Sequence, residues 1–501
     1  MKNLKFIFLL ILYAIITCAI TKFNIILAQP SNITINHFDE LVNLRSPRIS
    51  PDGAKILMIN SEVDIDENKY ANRLWLIDIA HKHAVPLISN KPSVSQPEWS
   101  PKGDYISFLA KGENNKPQIF KLSIHGGEEE QVTHSTEGIM TYKWSPNGLL
   151  FAYVQKDPAL EKNMNKHNRS FEVGYDWYLA DESARPAHIW ICSSEGNNAY
   201  QLTKGESGFS SLLGNFEWSP DSKEIVFVEQ PKPHSSEFLN SSLKLINIET
   251  EEITLLDDGA GAPAEPSFSK DGFVLYSKAI GGKPGFNPYG LFLVNKKDKN
   301  IKYISQNIDR NIIDHIWLSN NEFLVAAPDG TSVSLWQGAP NGTFEKLDIN
   351  NVIPSIGRTV KPLLNHLDVG PSGEIAFIGS TSQEASEVYF MRDSESSPEK
   401  ITSFNKSISK LNLGKADSID WKSEDGFYED GVITYPPGFS MDKQYPLVLY
   451  IHGGPMGFSS QRFNFFAQTL AAEGWVVFEP NYRGSNNLCL LYTSPSPRDH
   501  S

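Results

Sequence analysis

Trp99-Ser100-Pro101-Lys102-Gly103, followed by the apolar run Tyr105-Ile106-Ser107-Phe108-Leu109, decides the fold. The aromatic residue closes one buried strand. Ser-Pro-x-Gly is a turn: Pro fixes φ, a polar third residue bonds to local backbone, and Gly accepts positive φ. The apolar run is the next strand. The pattern recurs at Ser50-Pro51-Asp52-Gly53, Trp144-Ser145-Pro146-Asn147-Gly148, Trp218-Ser219-Pro220-Asp221 and Phe268-Ser269-Lys270-Asp271-Gly272. Weaker copies stand at Trp317-Leu318-Ser319-Asn320-Asn321 and Gly370-Pro371-Ser372-Gly373. Each copy is followed by a third strand: Leu74 to Ile79, Gln118 to Ile124, His188 to Cys192, Leu243 to Ile248, Gly290 to Val294, Ser332 to Trp336 and Glu387 to Met391. Short fourth segments such as Gln131-Val132-Thr133 and Lys400-Ile401-Thr402 follow most of them. Four strands per unit at a period of about fifty residues predict a β-propeller, here seven-bladed and spanning 38–408. The third unit carries an insertion around Glu161 to Ala187 with Phe171, Tyr175, Trp177 and Tyr178. It reads as a loop packed on its own blade or as one wall of a substrate entrance.

The pattern changes near residue 417. Asp417 to Trp421 and Gly431 to Tyr435 read as strands around a turn at Glu424-Asp425-Gly426. Leu447-Val448-Leu449-Tyr450-Ile451 is a continuous apolar run, which predicts a strand buried on both faces. It ends in His452-Gly453-Gly454-Pro455. Arg462 to Glu473 reads as a helix stopped by Gly474, and Trp475 to Phe478 as a second buried strand. Strand, glycine loop, helix, strand is an α/β unit with parallel strands.

The glycine loop has a chemical reading. In α/β-hydrolases the loop after the third strand supplies a backbone N–H to the oxyanion hole. Glycines let that backbone approach a substrate carbonyl. Each such donor contributes roughly 3 kcal/mol to stabilising the developing charge. Gly-Gly after a strand is otherwise a tight turn; the apolar strand before it and the helix after it favour the catalytic loop.

A propeller followed by Tyr-Pro-Leu-Val-Leu-Tyr-Ile-His-Gly-Gly-Pro (445–455) and Asn481-Tyr482-Arg483-Gly484-Ser485 resembles the prolyl oligopeptidase family, in its acylaminoacyl-peptidase and dipeptidyl-peptidase-like branch. Phe38-Asp39-Glu40-Leu41-Val42 is similar to that branch too. The resemblance runs from about Phe38 to Ser485. It implies a serine-type peptidase whose propeller limits access to an α/β-hydrolase site. It further implies that Gly453 or Gly454 gives the oxyanion N–H, that His452 and Pro455 hold the loop, and that Arg483 and Gly484 support the active-site face. The implied partner is a peptide substrate.

The triad of this fold follows the order Ser, Asp, His, with the serine in a Gly-x-Ser-x-Gly elbow. No elbow occurs in the residues after Phe478. Asp499 and His500 are adjacent and do not fit a separated pair. The expectation is therefore an incomplete α/β-hydrolase domain over 417–487, lacking the triad and inactive, with 488–501 an artefactual tail. Its last strand, Trp475 to Phe478, is expected to leave an unpaired edge and to promote aggregation. An exported TolB-like propeller acting as a protein-binding module is the alternative; such a module lacks the segment Leu447 to Ser485. A natural pseudoenzyme is a third reading.

The bulk numbers fit. The chain has 501 residues, 40% hydrophobic and 21% charged, with net charge -14. An acidic chain without a basic stripe argues against nucleic acid as a partner. Lys2 and Lys5, the apolar run Phe6 to Ile20 and Ala28 predict a signal peptide over 1–28, hence export to the periplasm or cell exterior, with no stable membrane association after cleavage. An uncleaved anchor is the alternative. Of three cysteines only Cys192 lies in the body, so no internal disulfide is expected. His81-Lys82-His83 has no companion read at ligand spacing, so no metal or cofactor is expected.

Overall fold

The computed structural model describes residues 30–158 (save 89 and 92), 184–210, 215–281, 287–318, 321–355, 366–453 and 457–488. The expected signal peptide, the body of the aromatic insertion, Gly454, Pro455 and nearly all of the terminal tail lie outside these residues.

Among the described residues, seven antiparallel sheets of four or five strands follow one another in sequence order. The strands read as third in each unit overlap Lys69–Asp78, Pro117–Ser123, Ala187–Ser193, Ser242–Asn247, Tyr289–Asn295, Ser332–Gly338 and Glu387–Met391, with Ile79, Ile124 and Ile248 each falling just past the strand end. The turns work as their chemistry requires. Gly53 N–H donates to the Ser50 carbonyl at 2.8 Å, and Lys55 N–H donates to Ser50 Oγ at 2.9 Å. The same pair of bonds ties Gly103 and Tyr105 to Ser100. Gly53 and Gly103 take φ of 70° and 75°, the left-handed region where a side chain is strained. The buried serine thus plugs the neck of these two hairpins with its hydroxyl.

Apolar side chains fill the space between consecutive sheets, and the last sheet packs on the first. Leu44, Ile49, Ile56, Met58 and Ile77 of the first sheet meet Ala376, Ile378, Val388, Phe390 and Ile401 of the seventh and its flank. Ile49 N–H donates to Asp368 Oδ2 across the same seam at 2.7 Å. The seven sheets therefore close on themselves.

An eighth, mixed sheet follows, with strands Ala416–Lys422, Tyr428–Thr434, Val476–Asn481 and Leu447–Leu449 in that spatial order. The first three are antiparallel neighbours; Leu447–Leu449 runs parallel to Val476–Asn481. The helix between the parallel strands is Phe465–Ala472, shorter than expected at its start because Asn464 caps it. Asn464 Oδ1 accepts from the N–H groups of Phe466 and Ala467, satisfying two donors that the first turn leaves open. Gly474 stops it with φ of 90°.

Two expectations fail here. Val476–Asn481 has no open edge, because the hairpin strand Tyr428–Thr434 covers one side and Leu447–Leu449 the other. Leu447–Leu449 is itself the edge strand among the described residues, and it is not buried on both faces. Leu447, Leu449, Tyr450 and Ile451 are exposed, as are Phe466 and Trp475 nearby. The apolar run reports capacity for burial, not the presence of a covering partner. A flat apolar edge templates pairing between copies. The chain is expected to self-associate with rising concentration, and the doubly substituted L447K/L449K chain to stay monomeric. Sedimentation velocity checks this; equal association of both proteins would contradict it.

The mixed sheet docks on the ring of seven. Gly330 N–H donates to the Asn487 carbonyl at 2.9 Å, and Gln461 N–H to the Thr331 carbonyl at 2.8 Å. Gln468 Nε2 donates to the Ser382 carbonyl at 2.9 Å.

Candidate active site

The glycine loop leaves the edge strand at Tyr450, whose N–H still pairs with the Phe478 carbonyl at 2.8 Å. His452 follows and is tied to the loop after the neighbouring strand. Its ring stacks on Tyr482 at 4.6 Å with 16° between planes. The Tyr482 hydroxyl donates to the His452 carbonyl at 2.9 Å. His452 Nδ1 lies 3.2 Å from the Gly453 carbonyl, and Nε2 lies 3.0 Å from Ser485 Oγ. A carbonyl only accepts, so Nδ1 carries the proton and Nε2 accepts from the serine hydroxyl. Burial lowers the His452 pKa and keeps the ring neutral in this role. Ser485 is itself buried.

Among the described residues, nothing lies within 4 Å of where a Gly453 Cβ would stand, so no described side chain packs there. Gly457 differs. A Cβ there would meet the Gly453 carbonyl oxygen at 2.4 Å and His452 Nδ1 at 2.9 Å, so the loop folds back tightly only over a glycine. The sequence reading did not single out Gly457.

Behind the loop, Asn481 is fully buried. Its Oδ1 accepts from Ser459 N–H at 2.6 Å, and its Nδ2 donates to the Ser459 carbonyl at 3.0 Å and to Asp430 Oδ1 at 2.7 Å. Asn487 Nδ2 donates to the same Asp430 oxygen at 2.7 Å and to the Gly330 carbonyl at 3.1 Å. Burial raises the Asp430 pKa, and these two donors oppose it. The network joins the loop, the mixed sheet and the ring.

Arg483 is turned to a different neighbour. It pairs with Asp425 and lies 4.3 Å from the centre of the Phe427 ring. The Ser423 hydroxyl and then Arg483 hold the Asp425 carboxyl down at about 2. Gly484 takes φ of 92° in the turn. His81 has a companion after all: its Nδ1 lies 2.9 Å from Asp78 Oδ1 on an exposed turn. Cys192 is a buried free thiol, pushed up to about 12 by burial.

A cavity of about 690 Å³ opens beside the glycine loop, where the first and seventh sheets meet the mixed-sheet unit. Its walls include Arg45, His366, His452, Gly453, Arg462 and Glu479. Glu479 accepts from Asn464 Nδ2 at 2.7 Å, so the residue that caps the helix also fixes this carboxyl. Burial pushes Glu479 up to about 7, against the opposing pull of Asn464 and Arg462. The sign of the linkage follows. The native carboxyl holds a proton that the unfolded one, near 4.5, has released. Stability tied to Glu479 is therefore intact below about pH 4.5 and falls as pH rises to about 7. Glu479→Gln removes that slope. The variant is expected to match the parent near pH 4.5 and to exceed it by about 3 kcal/mol at pH 8 in urea unfolding. A constant difference across pH would contradict the protonated state.

No protein-family model matches the chain. Similar sequences and folds do exist. An uncharacterized peptidase of Bacillus subtilis, YuxL, is 23% identical over 490 residues, covering 91% of this chain and 71% of the relative. A dipeptidyl-peptidase 5 of Porphyromonas gingivalis is 21% identical, covering 90% and 68%. Among solved structures, an acylaminoacyl peptidase of Pyrococcus horikoshii matches with a TM-score of 0.71 at 18% identity, over 92% of this chain and 68% of the other. A prolyl endopeptidase matches with a TM-score of 0.62 at 13% identity, over 91% and 64%. The structural matches speak to the fold, and the sequence relatives put the chain among the peptidases. Within that class, the relatives and the matched folds are similar to the prolyl oligopeptidase family of serine peptidases.

Proposed function

We propose that this chain belongs to an exported serine peptidase that hydrolyses short peptides. In this reading the seven sheets, over about 38–408, form a seven-bladed propeller that gates an α/β-hydrolase site begun by residues 417–487. Residues 1–28 direct export to the periplasm or cell exterior. The carrying observation is the cavity that brings Gly453 into one wall with residues of the first and seventh sheets. Gly453, or Gly454 outside the described residues, gives a backbone N–H to the carbonyl of a bound peptide. His452, Tyr482 and Ser485 position that loop through their mutual hydrogen bonds. The 501 residues contain no Gly-x-Ser-x-Gly elbow, so this chain binds peptide without cutting it.

Hydrogen–deuterium exchange with an N-acetylated short peptide tests the site. Slowed exchange is expected in 43–45, 450–453 and 457–465. Peptide-dependent protection confined to other segments, or none at all, would overturn the reading.

A further inference from the structure

The cavity wall carries two guanidinium groups that make no ion pair among the described residues. Arg45 comes from the first sheet, within Asn43–Ile49, and Arg462 from the segment before the helix Phe465–Ala472. Both line the cavity, and among the described residues neither guanidinium has an ion-pair partner. Crowding by the cavity wall desolvates both in part and lowers their pKa. Glu479 acts on Arg462 only through space, with one of its oxygens engaged by Asn464. His366, beside the seventh-sheet strand Leu367–Val369, lines the same cavity. Its Nδ1 is buried without a hydrogen-bond partner among the described residues. Burial, then Arg45, then Arg462 push the His366 ring down to about 4, so it is neutral near pH 7 and offers one N–H. The Ser380 side chain, also on the cavity wall, adds a hydroxyl.

Arg45 is half-buried and Arg462 is exposed, so the unmet need is a buried polar nitrogen without a partner beside two guanidinium groups that make no ion pair. A ligand that meets both must be anionic and must accept several hydrogen bonds from a fan of planar donors. A carboxylate does so, taking a guanidinium in bidentate fashion. The volume lies within the roughly 300–1,000 Å³ of small-ligand sites, which admits a short peptide and excludes a folded one.

We infer that Arg45 and Arg462, with His366 Nδ1, form a carboxylate site that holds the free C-terminal carboxylate of a short peptide whose carbonyl lies at Gly453. The inference rests on the peptide-binding reading above. It assigns the specificity that reading leaves open: short peptides with an unblocked C-terminus. It also makes the ligand a bridge, since Arg45 and His366 belong to the ring and Arg462 to the mixed-sheet unit.

Calorimetric titration of the full chain with acetyl-Ala-Ala-Ala, with its C-terminal amide and with acetyl-Ala-Glu-Ala-amide tests this. The free acid is expected to bind at least tenfold more tightly than the plain amide, and the glutamate peptide no better than the plain amide. Arg462→Met and Arg45→Met are each expected to bring the acid down to the level of the amide, while Arg462→Lys keeps part of the preference. Both methionine variants are expected to melt close to the parent without peptide, because among the described residues neither guanidinium makes an ion pair that the substitution would break. Equal binding of acid and amide would overturn the carboxylate site and leave the peptide reading standing. Tighter binding of the glutamate peptide than of the free acid would overturn the C-terminal assignment. A preference for acid that survives in both methionine variants would overturn the assigned residues. Failure of all three peptides to bind would remove the peptide reading as well.

Discussion

Asn405→Ala is expected to destabilise the chain by about 3–5 kcal/mol, read from the shift of its urea midpoint. Asn405 is fully buried where the chain leaves the seventh sheet. Its Oδ1 accepts from Val42 N–H at 2.9 Å, and its Nδ2 donates to the Val42 carbonyl at 2.9 Å. The same Nδ2 donates to the Ser386 carbonyl at 2.8 Å, and its own N–H is held by Glu387 Oε1 at 2.7 Å. One amide thus clasps the start of the first sheet to the end of the seventh, where Ile49 and Asp368 make the second polar stitch. Alanine strands three buried backbone groups at the seam, and an unmet buried hydrogen bond costs more than a formed one gains. Asn405→Asp keeps the acceptor and loses both donors beside Glu387, so it is expected to be at least as harmful. A loss below about 1 kcal/mol for Asn405→Ala would mean that apolar packing alone closes the ring.

The second large effect is expected at Asn481. Asn481→Asp replaces the donor that Asp430 Oδ1 receives with a second carboxylate, inside a site where burial already raises the Asp430 pKa. Two buried like charges cannot both ionise without a large penalty. The variant is expected to lose more than about 3 kcal/mol near pH 8, and to recover part of it as pH falls and one carboxyl takes a proton. Asn481→Ala is expected to lose less and to show little of that pH dependence. Thermal unfolding at two pH values separates the two variants. Equal, pH-independent losses would show that packing, not charge, sets the effect. Because Asn481 also holds Ser459, loosening of the glycine loop is expected in both variants, and exchange of residues 450–453 reports it.

What could be read from sequence was local. The Ser-Pro-x-Gly necks declare themselves because their hydrogen bonds join residues within a span of six positions. The helix after the glycine loop shows its C-terminal glycine for the same reason. The clasp at Asn405 could not be seen, since its partner Val42 is 363 positions away and asparagine in a loop is ordinary. Arg45, His366, Arg462 and Glu479 each pass as common polar residues; only the docking of two units turns them into one cavity wall. Gly457 was hidden by the more familiar glycines before it. The error over the edge strand has a different source. Hydropathy marks Leu447 to Ile451 as fit for burial, but strand order decides what covers them. Asp78, three positions before His81, was legible by its spacing.

The most direct test of the account is a mass-spectrometric time course of the purified 501-residue chain with acetylated and free-amine short peptides, run alongside labelling by a fluorophosphonate. Gly453 is proposed to meet a peptide carbonyl, while the 501 residues contain no nucleophile elbow and the buried Ser485 hydroxyl donates a hydrogen bond to His452. The account predicts intact peptides and no covalent label. Peptide cleavage with label on Ser485 would contradict it, by making the Ser485–His452 pair a working nucleophile and base instead of a loop support.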